Sequence, residues 1–219
     1  CRLVWDQTGF RIWSHTAYCA AHTIASEEPN PTALDCVVPV GLLRGVVDTE
    51  PKGMLELGCR RDVLRLRNRT VDITHPLTLG TELEDIEASL TSVGTDKIPS
   101  FEINSDQLCE ALTAVGSIDR SIAGTPQTGV DCWVVGPKRR LILTTPTSVG
   151  HTTYRVDLES CDESFDLRVR INYRQMLDFA GRQRHQKLRI GLAPDRILLW
   201  ANQTTYVLAP VQDDSDTEN

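Results

Sequence analysis

The 219-residue sequence contains few lysines and no long apolar segment. Only four of its 23 basic residues are lysine, and the formal net charge is −7. No apolar run approaches the roughly 18 residues that a membrane-spanning helix needs, and no signal-peptide pattern opens the chain. An acidic, lysine-poor composition is typical of a halophile or of a GC-rich genome. It does not exclude nucleic-acid binding, which depends on where the arginines lie.

Motifs that indicate an enzyme or a structural metal are also missing. The patterns GxxxxGK[ST], GxGxxG and GxSxG do not occur. The seven cysteines are odd in number and include no CxxC, so we expect no disulfide framework and mostly buried thiols. His15, Cys19 and His22 have a spacing that could supply three zinc ligands, but a fourth ligand is not apparent nearby. We therefore expect no catalysis, no cofactor and no metal.

Two stretches of the chain share one pattern. Residues 37–77 and 168–211 each predict a short strand, an amphipathic helix and then three strands. The helical spacing comes from Leu42, Leu43, Val46 and Val47 in the first stretch and from Tyr173, Met176, Leu177 and Ala180 in the second. An internal repeat of this kind indicates two related domains.

The segments in front of the two stretches also correspond. Residues 3–25 predict strands around a Thr8-Gly9 turn, and residues 130–158 predict strands around Gly136-Pro137. Residues 101–118 add a strand and a helix, with Asn104 or Ser105 as the N-cap. The first stretch has no counterpart of this opening strand and helix, which indicates a missing N-terminal part.

These patterns predict an α+β fold of two domains. We assign residues 1–81 to the first domain, 82–98 to an interdomain connector, 99–211 to the second domain and 212–219 to an acidic tail. The connector is acidic and has little periodicity, so a disordered linker is the alternative. Its apolar residues Ile86, Leu90 and Val93 favour docking onto a domain instead.

The chain resembles the sliding clamps of archaea and eukaryotes, the proliferating cell nuclear antigen (PCNA) family. The stretches that carry the resemblance are TGFRIWSHTAYCAAHTI, the connector, FEINSDQLCEALTAVG and TYVLAPVQDDSDTEN. Only Leu-Ala-Pro with its acidic tail is specific at the level of residues. The resemblance implies two clamp domains with antiparallel sheets outside and helices lining the inner face. A clamp of the bacterial type needs three domains, and is disfavoured by the two domains and the Leu-Ala-Pro ending.

The resemblance implies a DNA polymerase processivity factor without catalytic activity. Such a clamp encircles duplex DNA as a homotrimeric ring, with a heterotrimer as the alternative. It tethers polymerase, clamp loader, ligase and nucleases through short peptide motifs. The competing hypothesis is a clamp-fold interaction module that binds replication proteins without encircling DNA. The implied location is the cytoplasm of an archaeal cell or of a virus-infected host, or the nucleus of a eukaryote.

Three sets of site residues are implied by the resemblance. The pocket for partner motifs comprises Tyr18, Cys19, Leu90, Val93, Tyr206, Leu208, Ala209 and Pro210. Subunits join where residues 69–75 of one copy pair with residues 151–157 of another, through Thr70, Val71, Ile73, Thr153, Tyr154 and Val156. The DNA-binding residues are Arg44, Arg120, Arg174, Arg182, Arg184 and Lys187.

The helices offer few positive charges for a DNA-encircling ring. The helix that begins at Ser105 has Asp106 and Glu110 in its first turns and no basic residue before Arg120. One explanation is a high-salt cell, in which the Debye length is about 3 Å and topology holds the ring on DNA. The other is that the protein has kept the fold and lost the encircling role.

Overall fold

The computed structural model of the protein describes residues 1–15, 19–30, 33–50, 53–60, 63–76, 98–122, 129–147 and 150–211. For residues 15, 19, 22, 60, 117–122 and 147 it describes the main chain only. The chain divides into two units, Cys1–Val93 and Gly94–Asn219. Of the connector assigned to residues 82–98, only Ile98 is among the described residues, and the tail 212–219 lies outside them.

The first unit contains two antiparallel sheets and one helix. Its elements are β1 (Arg2–Asp6), β2 (Gly9–His15), β3 (Cys19–Ser26), β4 (Leu34–Val37), α1 (Val40–Thr49), β5 (Glu56–Arg60), β6 (Val63–Arg67) and β7 (Asp72–Pro76). The first sheet has the order β3-β2-β1-β4 and the second the order β5-β6-β7. Gly9 has φ +114°, and a Cβ there would lie 2.3 Å from the Ser26 carbonyl oxygen, so the predicted Thr8-Gly9 turn requires glycine.

The core of the first unit joins both sheets to α1. Leu64 and Leu66 alternate along β6 with exposed side chains, as a half-buried strand requires, and pack with Val46 of α1. Buried Asn68 donates through Nδ2 to the Val46 carbonyl (2.7 Å) and accepts at Oδ1 from the Val71 N–H (2.7 Å). This side chain therefore ties the end of α1 to the β6–β7 turn. Met54 lies before β5 and is 86% exposed.

The second unit contains two sheets and two helices. Its elements are β8 (Ser100–Asn104), α2 (Ser105–Ile122), β9 (Gly129–Val135), β10 (Arg140–Thr147), β11 (Gly150–Asp157), β12 (Ser160–Cys161), β13 (Asp166–Asn172), α3 (Tyr173–Arg182), β14 (Lys187–Ala193), β15 (Arg196–Ala201) and β16 (Thr204–Leu208). The sheets have the orders β12-β8-β14-β15-β16 and β11-β10-β9-β13. The helix α2 packs against α3 and covers β10 and β11. Its buried face consists of Leu108, Ala111, Leu112 and Val115.

The α+β fold with antiparallel sheets is confirmed, and the predicted repeat appears in the order of the elements. Both β4-α1-β5-β6-β7 and β13-α3-β14-β15-β16 consist of a strand, a helix and three strands. The segment β8-α2-β9-β10-β11 is a further copy of the same pattern. This copy was not among the repeats predicted from the sequence, although INSDQL at Ile103–Leu108 and INYRQM at Ile171–Met176 carry its signature.

The expectation that most cysteines are buried is wrong. Among the six cysteines whose side chains are described, all are free thiols and only Cys36 and Cys132 are buried. Burial raises the pKa of Cys36 to about 11 and that of Cys132 to about 12. Both side chains are therefore protonated at neutral pH and serve as small packing residues.

Candidate functional site

The helical face of the second unit is held together by the turn that follows α3. The Ser105 N–H donates to the Gln186 carbonyl (2.9 Å), and the Gln186 N–H donates to the Ser105 hydroxyl (3.1 Å). His185 Nδ1 lies 2.8 Å from Asp106 Oδ2, and this hydrogen bond is the main reason why the pKa of Asp106 is lowered. The turn therefore fixes the start of α2 beside the end of α3 and brings Arg184 close to Asp106.

Most of the cations assigned to DNA binding lie on the helices and have acidic neighbours. Exposed Arg44 pairs with Asp48 (3.1 Å), and Arg182 pairs with Asp178 (2.9 Å), each one turn away on its own helix. Arg174 Nε donates to the Tyr173 hydroxyl (3.3 Å). The side chain of Arg120 lies outside what the structure describes. Among described helix side chains, three arginines stand against four carboxylates, namely Asp48, Asp106, Glu110 and Asp178.

Lys187 does not belong to this helical surface. It lies on β14 in phase with Arg189, and Arg189 is paired across the sheet with Trp200, which is paired with Thr205. Tyr206 stacks on Phe179 of α3 (5.3 Å between ring centres), so its neighbour Thr205 points away from α3. Lys187 consequently lies on the sheet face opposite α3, where its ion pair with Glu159 (2.7 Å) raises the pKa of Lys187. Lys187 therefore lies off the helical face on which the DNA-binding assignment placed it, as the alternation of Lys187 and Arg189 with buried Leu188 and Ile190 indicates.

The two strands assigned to subunit contacts both lie at sheet edges. Strand β7 is at one edge of the order β5-β6-β7, and β11 is at one edge of β11-β10-β9-β13. The Leu158 N–H donates to the Arg139 carbonyl (2.8 Å), in register with the β10–β11 pairs. Because bonded and non-bonded pairs alternate in an antiparallel ladder, Thr153 and Arg155 direct their main-chain groups away from β10. Pro146 and His151 form one of the non-bonded pairs, a position that suits proline because it has no N–H to donate to β11.

The same reasoning fixes the phase of β7. The Asn68 N–H donates to the Val71 carbonyl (2.9 Å), so Asp72 and Thr74 direct their main-chain groups to the edge. Val71 and Ile73 instead pack against the core of their own unit, and Val156 is buried in the second unit. Tyr154 faces α2, where its hydroxyl is 3.4 Å from Glu110 Oε1, and exposed Thr70 donates its N–H to Asn68. Of the assigned residues, Thr153 directs its main-chain groups outward. Val71, Ile73, Tyr154 and Val156 are each one residue away from such a position.

The residues assigned to the partner-motif pocket do not form one described surface. Tyr18, Leu90 and Val93 lie outside the described residues, and only the main chain of Cys19 is described. Leu208 is 1% exposed and belongs to the core, which contradicts its assignment to the pocket floor. Tyr206 faces α3, whereas Ala209 is exposed and Pro210 half-buried.

The opposite face of β14, β15 and β16 has features that the sequence analysis did not identify. Trp200 and Val207 are half-buried neighbours on this face. A Cβ on Gly191 would lie 2.9 Å from Trp200 and 3.1 Å from Ile98, the described end of the connector. Trp200 also lies under the Arg189 guanidinium, 5.0 Å from the ring centre. Trp200 and Val207 therefore form an apolar strip beside Ile98, the described end of the connector.

The described residues show no metal site. No group of three or more His, Cys, Asp or Glu side chains among them could hold a metal ion. The side chains of His15, Cys19 and His22, which have the zinc-like spacing, are not among those described. No described helix is both long enough and apolar enough to cross a bilayer.

Comparison with known proteins supports one fold. No protein-family model matches the chain, and no curated protein matches it. Among solved structures, the DNA polymerase III subunit beta from Pseudomonas aeruginosa matches with TM-score 0.77 and 16% identity over 97% of this chain and 58% of that chain. The DNA polymerase sliding clamp from Bacillus subtilis matches with TM-score 0.78 and 12% identity over 97% and 56%. The DNA polymerase III beta chain from Streptococcus pneumoniae TIGR4 has TM-score 0.77 and 14% identity over 97% and 56%.

These matches define the architecture of the chain. The chain has the sliding-clamp fold, and it spans a little more than half the length of the solved clamps that it matches. At identities of this size the likeness shows the fold alone. The assignment to the archaeal and eukaryotic family is not confirmed, because the matching structures named here are bacterial clamps.

Proposed function

We propose that the protein is a DNA sliding clamp that has no catalytic activity and closes into a ring around duplex DNA. The observation that carries this proposal is that each unit ends one of its sheets in an edge strand, β7 or β11, with outward-directed main-chain groups. A ring needs one such edge on each side of the repeating chain, so that copies join head to tail. The sliding-clamp fold supports the same function.

In the proposed ring, β7 of one copy pairs antiparallel with β11 of the next. The main-chain groups of Asp72 and Thr74 face those of His151, Thr153 and Arg155. Exposed β edges of this kind otherwise invite uncontrolled association, and pairing within a closed ring removes them. The expected assembly is a homotrimer of the two-unit chain.

The helices and the turn after α3 supply the DNA-facing surface of the proposed ring through Arg44, Arg174, Arg182 and Arg184. Because the described helix carboxylates equal these arginines in number, charge contributes little to affinity and closure of the ring holds the DNA. This arrangement suits a high-salt cell, where attraction between exposed charges is screened.

Partner proteins bind, in this proposal, to the apolar strip of Trp200 and Val207 beside the connector end at Ile98. A short motif with apolar and aromatic anchors fits such a strip. Each buried anchor contributes about 1.5–3 kcal/mol, so two or three support binding in about the micromolar range. Polymerase, clamp loader, ligase and nucleases are the expected carriers of such motifs.

The mass of the protein in solution tests the assembly. In light scattering at micromolar concentration, we expect the native protein to have the mass of a ring of several copies. Thr153→Pro removes the outward N–H from β11 without removing a bond to β10, so this variant should be monomeric. Thr153→Val keeps the N–H and should retain the ring. A native monomer, or a proline variant with native mass, would contradict the proposed closure.

A further inference from the structure

The outer face of the sheet β11-β10-β9-β13, on the side away from α2, contains an arginine-lined groove of about 520 Å³. Buried residues such as Cys132, Val134 and Leu143 point to α2, and the alternate side chains line the groove. Its charged side chains are Arg155, Arg168, Arg170 and Asp131. Three guanidinium groups against two carboxylates, Asp131 and the Asp166 that accepts from Trp133, leave an excess of positive charge that favours an anion.

The floor of the groove is apolar and partly aromatic. Trp133 is 40% exposed there and donates through its indole N–H to Asp166 (2.6 Å), which holds the ring in place. Ile142 and Pro146 of β10 also line the groove. Arg168 pairs with Asp131 at 2.5 Å, with its own side chain still 65% exposed. An acidic peptide, with carboxylates for the arginines and a main chain lying over the indole, has the complementary chemistry.

An acidic segment of this chain starts at the rim of the groove. The Val211 N–H donates to the Arg170 carbonyl (2.9 Å), so the last described residue is bonded to β13. Residues 212–219 follow, and they include Asp213, Asp214, Asp216 and Glu218. Fully extended, these residues span about 26–29 Å. Crossing from β13 to β11 takes three strand spacings, or about 14 Å.

We propose that residues 212–219 dock in this groove of their own chain, with their carboxylates on Arg155, Arg168 and Arg170. Attachment at Val211 gives the tail a high effective concentration at the site, so that weak contacts suffice. The tail thereby excludes other acidic peptides from the groove. This inference is independent of the proposed ring, because the groove and the tail belong to one chain.

Trp133 provides the probe for this proposal. The chain has four tryptophans, and labelling them with 5-fluorotryptophan gives resonances of which Trp133→Phe identifies the one in the groove. We expect this resonance to differ between the full chain and a chain ending at Val211. A peptide of residues 211–219, added to the shortened chain, should restore the position seen in the full chain. About 1 M salt should abolish the difference, because the Debye length falls to about 3 Å.

Charge variants separate docking from other effects of the tail. Asp213→Asn with Asp214→Asn, Asp216→Asn and Glu218→Gln should give the spectrum of the shortened chain. Arg155→Gln with Arg168→Gln should weaken the free peptide at least about tenfold on the shortened chain, whereas Arg184→Gln outside the groove should leave its affinity unchanged. The full chain should bind the peptide at least about tenfold more weakly than the shortened chain.

Three results would overturn the proposal. The first is a Trp133 resonance at the same position in the full and the shortened chain. The second is a neutralised tail with the native spectrum, because docking would then not depend on the carboxylates. The third is a free peptide that binds the full chain as tightly as the shortened one, which would make the groove a site for partner peptides only.

Discussion

Two asparagines start the helices of the second unit in the same way. Asn104 Oδ1 accepts from the Asp106 N–H (2.8 Å), and Asn172 Oδ1 accepts from the N–H groups of Arg174 (3.2 Å) and Gln175 (3.3 Å). Each side chain satisfies donors that the first helical turn leaves unpaired. Each asparagine is the last residue of its strand, so the cap lies where the chain passes from strand to helix.

Removal of the cap at Asn172 should destabilise the protein measurably. We expect Asn172→Ala to lower the free energy of unfolding by about 1 kcal/mol, with urea denaturation as the measurement. Asn172→Asp keeps the acceptor and should stay close to the native value. Equal losses in the two variants would show that Asn172 acts through something other than its side-chain oxygen.

Residue spacing predicted most of the apolar helix faces, although Val47 is 43% exposed and buried Phe179 was not among the predicted residues. Tyr173, Met176 and Ala180 are buried as their spacing indicates, because a helix face depends only on local periodicity. Whether Lys187 or Tyr206 faces the helices depends on which alternate residues of a strand point inward. For Lys187 the alternation with buried Leu188 and Ile190 indicates that phase. Strand β16 has no such alternation, and its phase follows only from the register with β15.

Among the elements, the terminal strand β16 has different neighbours on its two faces. Tyr206 and Leu208 pack towards α3 and the core, while Thr205 and Val207 lie on the opposite face beside Trp200. The sequence located the strand and its end near Ala209-Pro210. The pocket residues taken from this strand, Tyr206 and Leu208, face α3 and the core, and not the side of Thr205 and Val207.

Replacement of Val207 should therefore weaken partner binding more than replacement of Tyr206. A synthetic peptide with one leucine and one phenylalanine anchor is the probe, and calorimetry is the measurement. We expect Val207→Asp to reduce its affinity at least about tenfold, because a charge on the strip desolvates unfavourably. Tyr206→Phe should bind like the native chain. If Tyr206→Phe loses affinity and Val207→Asp does not, the peptide site lies on the α3 side.

The repeated order of strands and helices could be predicted because it depends on local patterns. For the two sheet edges, the sequence indicated the segments but not which residues direct their main-chain groups outward. Residues 69–75 and 151–157 were correctly located near β7 and β11 from their Thr- and Val-rich sequences. The outward positions Asp72, Thr74 and Arg155 became apparent only from the register with β6 and β10. The third copy of the pattern is hard to recognise from the sequence, because the copies match each other mainly at the residues that cap their helices.

In the whole molecule, DNA retention should depend on ring closure more than on charge. Arg174→Gln, Arg182→Gln and Arg184→Gln combined should lower retention on DNA at low salt, where phosphate contacts still count. In about 1 M salt the triple variant and the native chain should behave alike. Lys187→Gln, a matched change on the opposite face of the sheet, should have no effect at either salt concentration. Equal effects of Lys187→Gln and the triple variant would contradict the assignment of the helical face to DNA.

Release from circular and linear DNA shows whether the protein encircles the duplex. A chain with Thr74→Cys and Thr153→Cys, in a Cys59→Ser background, is mixed with nicked circular duplex DNA and oxidised to lock the paired edges. We expect locked protein to stay with circular DNA in about 1 M salt and to leave when a restriction enzyme linearises the DNA. Protein that dissociates equally from circular and linearised DNA would contradict an encircling ring and favour an interaction module.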